Sequence, residues 1–290
     1  MRFALFGNTH ETNKSAHAEQ LLRILSHYAD EVYADPDFYH FLREEQPFPF
    51  EPAGIISDLA GQEIDMAISL GGDGTFLKAA RCIGDTGIPI VGINTGRLGF
   101  LADVSPDEME RFFALLHEGR YLLRERCLLR LTTSDAPDRP IYALNEIAVS
   151  KHDSSSMLAI HTAVDGERLT TYMADGLLIA TPTGSTAYSL SAGGPIIYPQ
   201  ADVFVLTAVS PHSLNVRPIV IADDKTIDLH IESRSGSFLV AADGISHSLP
   251  ATTTLTIQKA THTIRVVKQE GSTFFQTLQK KMLWGTDPRE

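Results

Sequence analysis

Residues 66–81 place a short apolar run, a glycine cluster holding one carboxylate and a helix-like tail in immediate succession. That order reads as a strand, a tight turn and a helix start. Gly71, Gly72 and Gly74 can take backbone angles closed to other residues and let a ligand approach the main chain, while Thr75 can cap a helix whose free N–H groups favour an anion. Asp73 is the exception in this company. A carboxylate at the floor of a phosphate-accepting turn is repelled by the phosphates beside it, so it makes sense either as a metal ligand or as a base for a hydroxyl. The competing reading is a plain turn after a strand, and the turn by itself leaves both open.

Three further stretches carry polar chemistry. Asn94-Thr95-Gly96-Arg97-Leu98-Gly99-Phe100 follows an apolar run and offers Arg97, which either answers phosphate charge or is a solvated loop arginine, and Phe100, which either packs on a substrate or belongs to the core. Asn145-Glu146 stands before the apolar run 147–149. An amide beside a carboxylate can read an adenine edge and hold ribose hydroxyls, although two polar residues at a strand entrance are more often a solvated turn. Residues 175–195 are the most specific: an apolar run at 177–180, a Pro- and Gly-containing loop, and hydroxyls at 183, 185, 186, 189 and 191 around Tyr188. That crowd at a short helix start suits a polar, neutral, sugar-and-base-sized ligand better than a metal. Gly7-Asn8 is either a second phosphate contact or a simple turn.

The elements needed to position these residues follow from periodicity. Residues 1–6 read as a first strand, Ala18, Leu21, Leu22, Leu25 and Tyr28 recur at helical spacing, and 31–34 reads as a second strand, so the chain opens as an alternating α/β domain. Asp35-Pro36 can cap and open another helix, which the proline-rich stretch 47–52 cannot continue. Residues 88–93 read as a buried strand that brings the 94–101 loop to the same sheet edge as the glycine turn, because ligands in open α/β sheets collect at the carboxyl ends of strands. Ser105-Pro106 opens a helix through Leu116.

Beyond Gly119 short runs rich in Val, Ile, Leu and Thr follow one another, with turn signals at Asp165-Gly166, Asp223-Asp224, Ser235-Gly236 and Asp243-Gly244. The fold class is therefore an α/β N-terminal domain, residues 1–119, followed by an all-β C-terminal domain of packed antiparallel sheets, residues 120–270. Residues 271–290 form a tail whose Phe274, Phe275, Leu278, Met282 and Leu283 share a helix face stopped by Gly285; it is expected to complete the core, with the single Trp284 structural.

The chain has 290 residues, a hydrophobic fraction of 43% and a net charge of −12, a balance that argues against a nucleic-acid face built from clustered Lys and Arg. Cys82 and Cys127 sit outside any metal-ligand spacing and read as buried free thiols of a reducing compartment. Without a signal-peptide pattern or a membrane-length apolar run, the expectation is a cytoplasmic protein with no membrane partner.

Gly71-Gly72-Asp73-Gly74-Thr75 resembles the signature shared by NAD kinases, the diacylglycerol and sphingosine lipid kinases and, more loosely, the phosphofructokinases. The 94–100 string resembles the second recurrent motif of NAD kinases. The 175–195 string resembles their central signature, which the other two groups do not carry in this form. With residues 209–218 the resemblance covers nearly the whole of 66–285, and the chain is identified as a member of the NAD kinase family, most like its bacterial members. Asn215 departs from the serine common there, and the region before Asp65 carries no family signature.

The resemblance implies transfer of the γ-phosphoryl of ATP to the 2′-hydroxyl of the adenosine ribose of NAD, giving NADP and ADP. It implies Asp73 as catalytic base; Asp73, Gly74, Phe100, Asn145, Glu146, Asp175, Thr183, Thr186, Ala187, Tyr188 and Ser191 around NAD; and Gly71, Gly72, Gly74, Thr75 and Arg97 around the ATP phosphates. Mg²⁺ or another divalent ion would come with ATP, with no metal site of the protein's own. A homotetramer or dimer with sites shared between subunits and a tail helix returning to the N-terminal domain are implied as well. A lipid kinase sharing only the glycine turn, and a non-catalytic pyridine-nucleotide sensor, are the alternatives.

Overall fold

In a computed structural model of the chain, residues 1–8, 15–45, 50–56, 59–96, 99–152 and 156–285 are described. The chain divides into two compact units, one of residues 1–125 with 264–290 and one of residues 126–263.

The first unit alternates strands and helices: β1 (Arg2–Gly7), α1 (Ser15–Tyr28), β2 (Glu31–Ala34), α2 (Pro36–Glu45), β3 (Gly54–Ile55), β4 (Met66–Gly71), α3 (Asp73–Ile83), β5 (Ile90–Asn94) and α4 (Met109–His117). The strands pair in parallel in the order β5-β4-β1-β2-β3. β4 lies between β5 and β1 and is buried along its whole length, as expected of a parallel strand covered on both faces. Phe3, Leu5, Leu21, Leu25, Ile68, Val91, Phe112 and Phe113 fill the core beside it.

α2 begins where Asp35-Pro36 predicts: the Phe38 N–H donates to Asp35 Oδ2 at 3.1 Å, and Lys78 of α3 bonds Asp35 and Asp37 at 2.7 Å each. A 3₁₀ turn at Pro106–Glu108, capped by Ser105 with Glu108 reciprocating, opens α4.

The second unit is all antiparallel. β6 (Leu122–Thr133), β7 (Ala136–Ala143), β8 (Glu146–Lys151), β9 (Leu158–Val164), β10 (Glu167–Ala174), β11 (Gly176–Ala180), the short α5 (Tyr188–Ser191), β12 (Val203–Val209), β13 (Ile219–Ala222), β14 (Ile227–Glu232), β15 (Ser237–Ala242), β16 (Ile245–Pro250) and β17 (Thr254–Lys268) follow in order. β13-β12-β11-β8-β15-β16 form one sheet, and β10-β9-β14-β17 with β6 and β7 the other. One core cluster draws on both, including Leu129, Ile160, Tyr172, Ile179, Phe204, Leu229 and Phe238. The hairpin signals are realised as left-handed turns: Asp165 and Gly166 have φ of 51° and 78°, Asp243 and Gly244 of 47° and 82°.

The end of β17 lies beside β5, with Val266 opposite Ile90, and leads into α6 (Phe274–Met282) within the first unit. Here the structure corrects the sequence. Of the predicted apolar face only Leu278 is buried; Phe275, Met282, Leu283 and Trp284 are exposed, so α6 does not complete the core and Trp284 is not a core residue. The helix ends at Met282 with Leu283 in the left-handed conformation, before Gly285. Neither cysteine is in a disulfide and both are half buried, and burial pushes the Cys127 thiol up to about 11. Among the described residues no helix is long and apolar enough to cross a membrane.

Gly92 on β5 faces the segment that returns from the 94–101 loop: a Cβ there would stand 2.5 Å from Ala102 Cα. Gly92→Ala is therefore expected to destabilise by about 1–3 kcal/mol through overpacking, read as a lower denaturant midpoint at unchanged slope.

Candidate functional site

In the first unit the carboxyl ends of three neighbouring strands meet. Gly7 lies opposite Leu70 and Gly71 opposite Asn94; the Asn8 N–H donates to Leu70 O at 3.1 Å and the Thr95 N–H to Gly71 O at 3.4 Å. The glycine turn and the loop after β5 are thus neighbours, as the sequence predicts. Asn94 Oδ1 accepts the Gly96 N–H at 2.9 Å, and the buried Thr95 hydroxyl finds no partner among the described residues.

Gly72, with φ −96° and ψ −170°, is the N-cap of α3, and no side chain caps the helix. Thr75 lies inside the first turn, donating its N–H to Gly72 O at 3.1 Å, so its expected capping role is not realised. Gly71, Gly72 and Gly74 all avoid positive φ. They are there for space rather than for unusual angles. A Cβ on Gly71 would overlap the Thr75 side chain, whereas one on Gly72 or Gly74 would meet nothing within 4 Å and would only cover the helix start.

Asp73 opens α3 and is about one-third exposed. Its Oδ1 accepts the N–H groups of Leu101 and Ala102 at 3.1 and 3.3 Å, and Oδ2 accepts that of Phe100 at 3.1 Å. Lys281 Nζ stands 3.6 Å from Oδ2 and 4.4 Å from the centre of the Phe100 ring, which also meets Phe274 at 6.1 Å. Gly99 lets the loop pass: a Cβ there would overlap the Asp73 carboxylate. Arg97 lies outside the described residues.

In the second unit Asn145 and Glu146, at the entrance of β8, are buried rather than solvated. Asp243, in the left-handed turn after β15, holds them. Its Oδ2 accepts the Leu144 N–H at 2.7 Å and its Oδ1 those of Asn145 and Glu146 at 2.8 and 3.2 Å. From the other side the Thr181 N–H donates to Asn145 O at 2.9 Å, and Gly184 approaches so closely that a Cβ would overlap the Asn145 backbone.

A 3₁₀ turn at Gly184–Thr186 precedes α5. Of the five hydroxyls expected to face a ligand, three make internal bonds, two of them fully buried: Ser185 Oγ donates to Pro182 O and accepts the Ile197 N–H, and Ser189 pairs with Thr207. Thr186 Oγ1 donates to Thr183 O at 3.3 Å. Thr183 Oγ1 and Glu146 Oε2 are buried with no partner among the described residues.

Glu146, Asp175 and Tyr188 come together in the wall of a cavity of about 400 Å³, with Lys151, Gly244 and Ser246; Asn145, Thr183, Thr186, Ala187 and Ser191 are not part of that wall. Lys151 pairs with Asp175 at 2.8 Å. Burial, and after it the charge on Asp243, pushes the Glu146 carboxyl up to about 7, while the Tyr188 N–H that donates to it pulls the other way. A buried acid with one orphaned oxygen suits hydroxyl donors from a ligand.

A model of the ATP-NAD kinase N-terminal domain matches residues 3–121, and one of the C-terminal domain matches residues 144–269. The chain is 53% identical over 290 residues, covering both in full, to a protein named NAD kinase from Bacteroides fragilis. It is 42% identical over 290 residues, 99% of each, to one from Porphyromonas gingivalis. The chain belongs to the ATP-NAD kinase family. Among solved structures, an NAD kinase from Archaeoglobus fulgidus in complex with ATP is similar at a TM-score of 0.75 and 26% identity over 98% of this chain and 99% of that one. The yeast NADH kinase complexed with NADH shares the fold at a TM-score of 0.87 and 24% identity, over 99% and 88%. The family fold of an α/β domain, a β-sheet domain and a C-terminal helix is the one described above.

Two residues of these constellations had no functional signal in the sequence. Asp243 reads there only as a turn residue, 98 positions from Asn145, and Lys281 only as a basic residue in the last turn of a helix.

Glu146 makes stability pH-dependent in a definite direction. With its folded value near 7 and its unfolded one near 4.5, the native state binds the extra proton between those values, so stability falls as pH rises through that window. The loss is about 3 kcal/mol by the time pH exceeds 7. Relative to wild type, Glu146→Gln should gain stability steadily from pH 5 to pH 8 in ligand-free chemical denaturation; a constant offset would contradict the assignment.

Proposed function

We propose that the chain transfers the γ-phosphoryl of ATP to the 2′-hydroxyl of the adenosine ribose of NAD, giving NADP and ADP. The observation that carries the assignment of roles is Asp73, a fixed carboxylate at an uncovered helix start on the carboxyl edge of a parallel sheet. Phosphoryl transfer asks mostly for alignment and charge neutralisation.

The α3 start with Gly71, Gly72, Gly74 and Thr75, and Arg97 with them, bind the triphosphate in this reading. Asp73 accepts the proton of the attacking hydroxyl. Two N–H groups already occupy Oδ1 and one occupies Oδ2, so Oδ2 is the oxygen with capacity to spare. Asn145 and Glu146 hold the adenosine, with Thr183, Thr186, Ala187, Tyr188 and Ser191 around it and Phe100 beside the phosphate turn. The orphaned Glu146 and Thr183 oxygens are the expected partners of ribose hydroxyls. Asp175 faces the nicotinamide end of a neighbouring subunit's ligand in a homotetramer, and the enzyme works in the cytoplasm.

In this reading Mg²⁺ comes with the triphosphate, whose oxygens are the hard ligands it prefers. When bound it would neutralise phosphate charge, held with the triphosphate at the α3 start that Gly71, Gly72, Gly74 and Thr75 form.

Purified protein given ATP, Mg²⁺ and NAD should form NADP, followed by mass spectrometry. Asp73→Asn should keep NAD binding and lose about 10²–10⁴-fold in turnover, the range of a removed general base; a near wild-type rate would exclude Asp73 from that role. By calorimetry Glu146→Gln should weaken NAD binding more than ATP binding, and equal effects would refute the adenosine assignment.

A further inference from the structure

An acid at the phosphate turn raises a difficulty of charge: the carboxylate needed for the hydroxyl opposes the triphosphate that must lie next to it. The geometry supplies the missing cation. We propose that Lys281, carried on the C-terminal helix, is a phosphate-binding residue of the kinase site, offsetting Asp73 and contacting the ATP triphosphate. The proposal rests on the reading of the glycine turn given above.

Lys281 Nζ is 3.6 Å from Asp73 Oδ2, beyond hydrogen-bonding distance, and 4.4 Å from the Phe100 ring centre. The ring positions the ammonium without occupying its N–H donors. The side chain stays about one-third exposed, so those donors can reach an anion.

Neighbouring lysines are committed elsewhere. Lys78 makes 2.7 Å bonds to both Asp35 and Asp37, and Lys268 bonds Asp103 at 2.8 Å and Leu101 O at 3.4 Å. Lys281 has the loosest carboxylate contact of the three.

The helix is built to deliver it. Thr273 and Gln276 close a capping box at the start of α6, and Leu278, its buried residue, lies three positions before Lys281 and hence on the same side. Phe274, one turn earlier still, meets the ring on which Lys281 rests. A helix that contributes little to the core is thereby accounted for by what it holds beside Asp73.

The test is steady-state kinetics of the full chain with ATP varied at saturating NAD, together with calorimetric binding of Mg²⁺-ATP in the absence of NAD, for wild type, Lys281→Met and Lys281→Arg. Lys281→Met should raise the KM and Kd for ATP tenfold or more, leave the KM for NAD within twofold, and be largely rescued by Lys281→Arg. Unchanged ATP affinity with a lowered kcat would overturn the proposal and leave the lysine as a support for Asp73. An equal loss of NAD affinity, or a failure of Lys281→Arg to rescue, would overturn it too. If the wild type makes no NADP, the assigned reaction fails, and the comparison of ATP binding between wild type and Lys281→Met still decides the lysine separately. Should Lys281→Met not fold, Lys281→Gln carries the same comparison.

Discussion

The Asp73 carboxylate accepts three consecutive backbone N–H groups, those of Phe100, Leu101 and Ala102, and the first unit's site depends on that one arrangement. It ties the start of α3 to residues 100–102, so the glycine turn and that segment are held together. Backbone N–H groups in such a loop must find acceptors or water, and a charged acceptor is the stronger choice. The same bonds fix the carboxylate's orientation through the main chain, with Lys281 as its side-chain neighbour at 3.6 Å. Gly92 and Gly99 belong to this arrangement, because either one with a Cβ would push the loop off its acceptor.

The second unit repeats the device with different elements. Asp243 accepts the N–H groups of Leu144, Asn145 and Glu146, and Gly184 and Thr181 press on the same backbone from the other side. Burial of the Glu146 carboxyl, and after it the charge on the half-buried Asp243, is why Glu146 holds its proton far more tightly than an ordinary glutamate. Such strain is common where a group must meet a ligand, since a partner from the ligand can relieve it. In both units a carboxylate sets main-chain geometry, and polar side chains next to the fixed segment are left for chemistry.

Much of this was legible in the sequence because it is local. The strand-turn-helix around Asp73, the capping of α2 by Asp35, the hairpins at Asp165-Gly166 and Asp243-Gly244, and the change from alternating helices to successive strands each depend on residues close in the chain. What misled was also local. The apolar spacing in 274–283 does define a helix, but periodicity cannot say whether a face has anything to bury against, and most of this one does not. The hydroxyls of Ser185 and Ser189 look identical in sequence to those of Thr183 and Ser191, and only packing assigns the first pair to internal bonds.

By itself the sequence determined the order of elements, the two kinds of architecture and the family, since strand and helix periods, glycine turns and motif strings are properties of neighbouring residues. The tertiary structure decided which acids act through which backbones. Asp243 reaches Asn145 across 98 residues, Asp73 reaches Leu101 across 28, and Lys281 comes to Asp73 from the far end of the chain. No period or propensity encodes those meetings. They arise because burying the apolar faces of β4 in one unit and of β8 and β15 in the other fixes each unit's strands, and within each unit distant polar residues are thereby brought together.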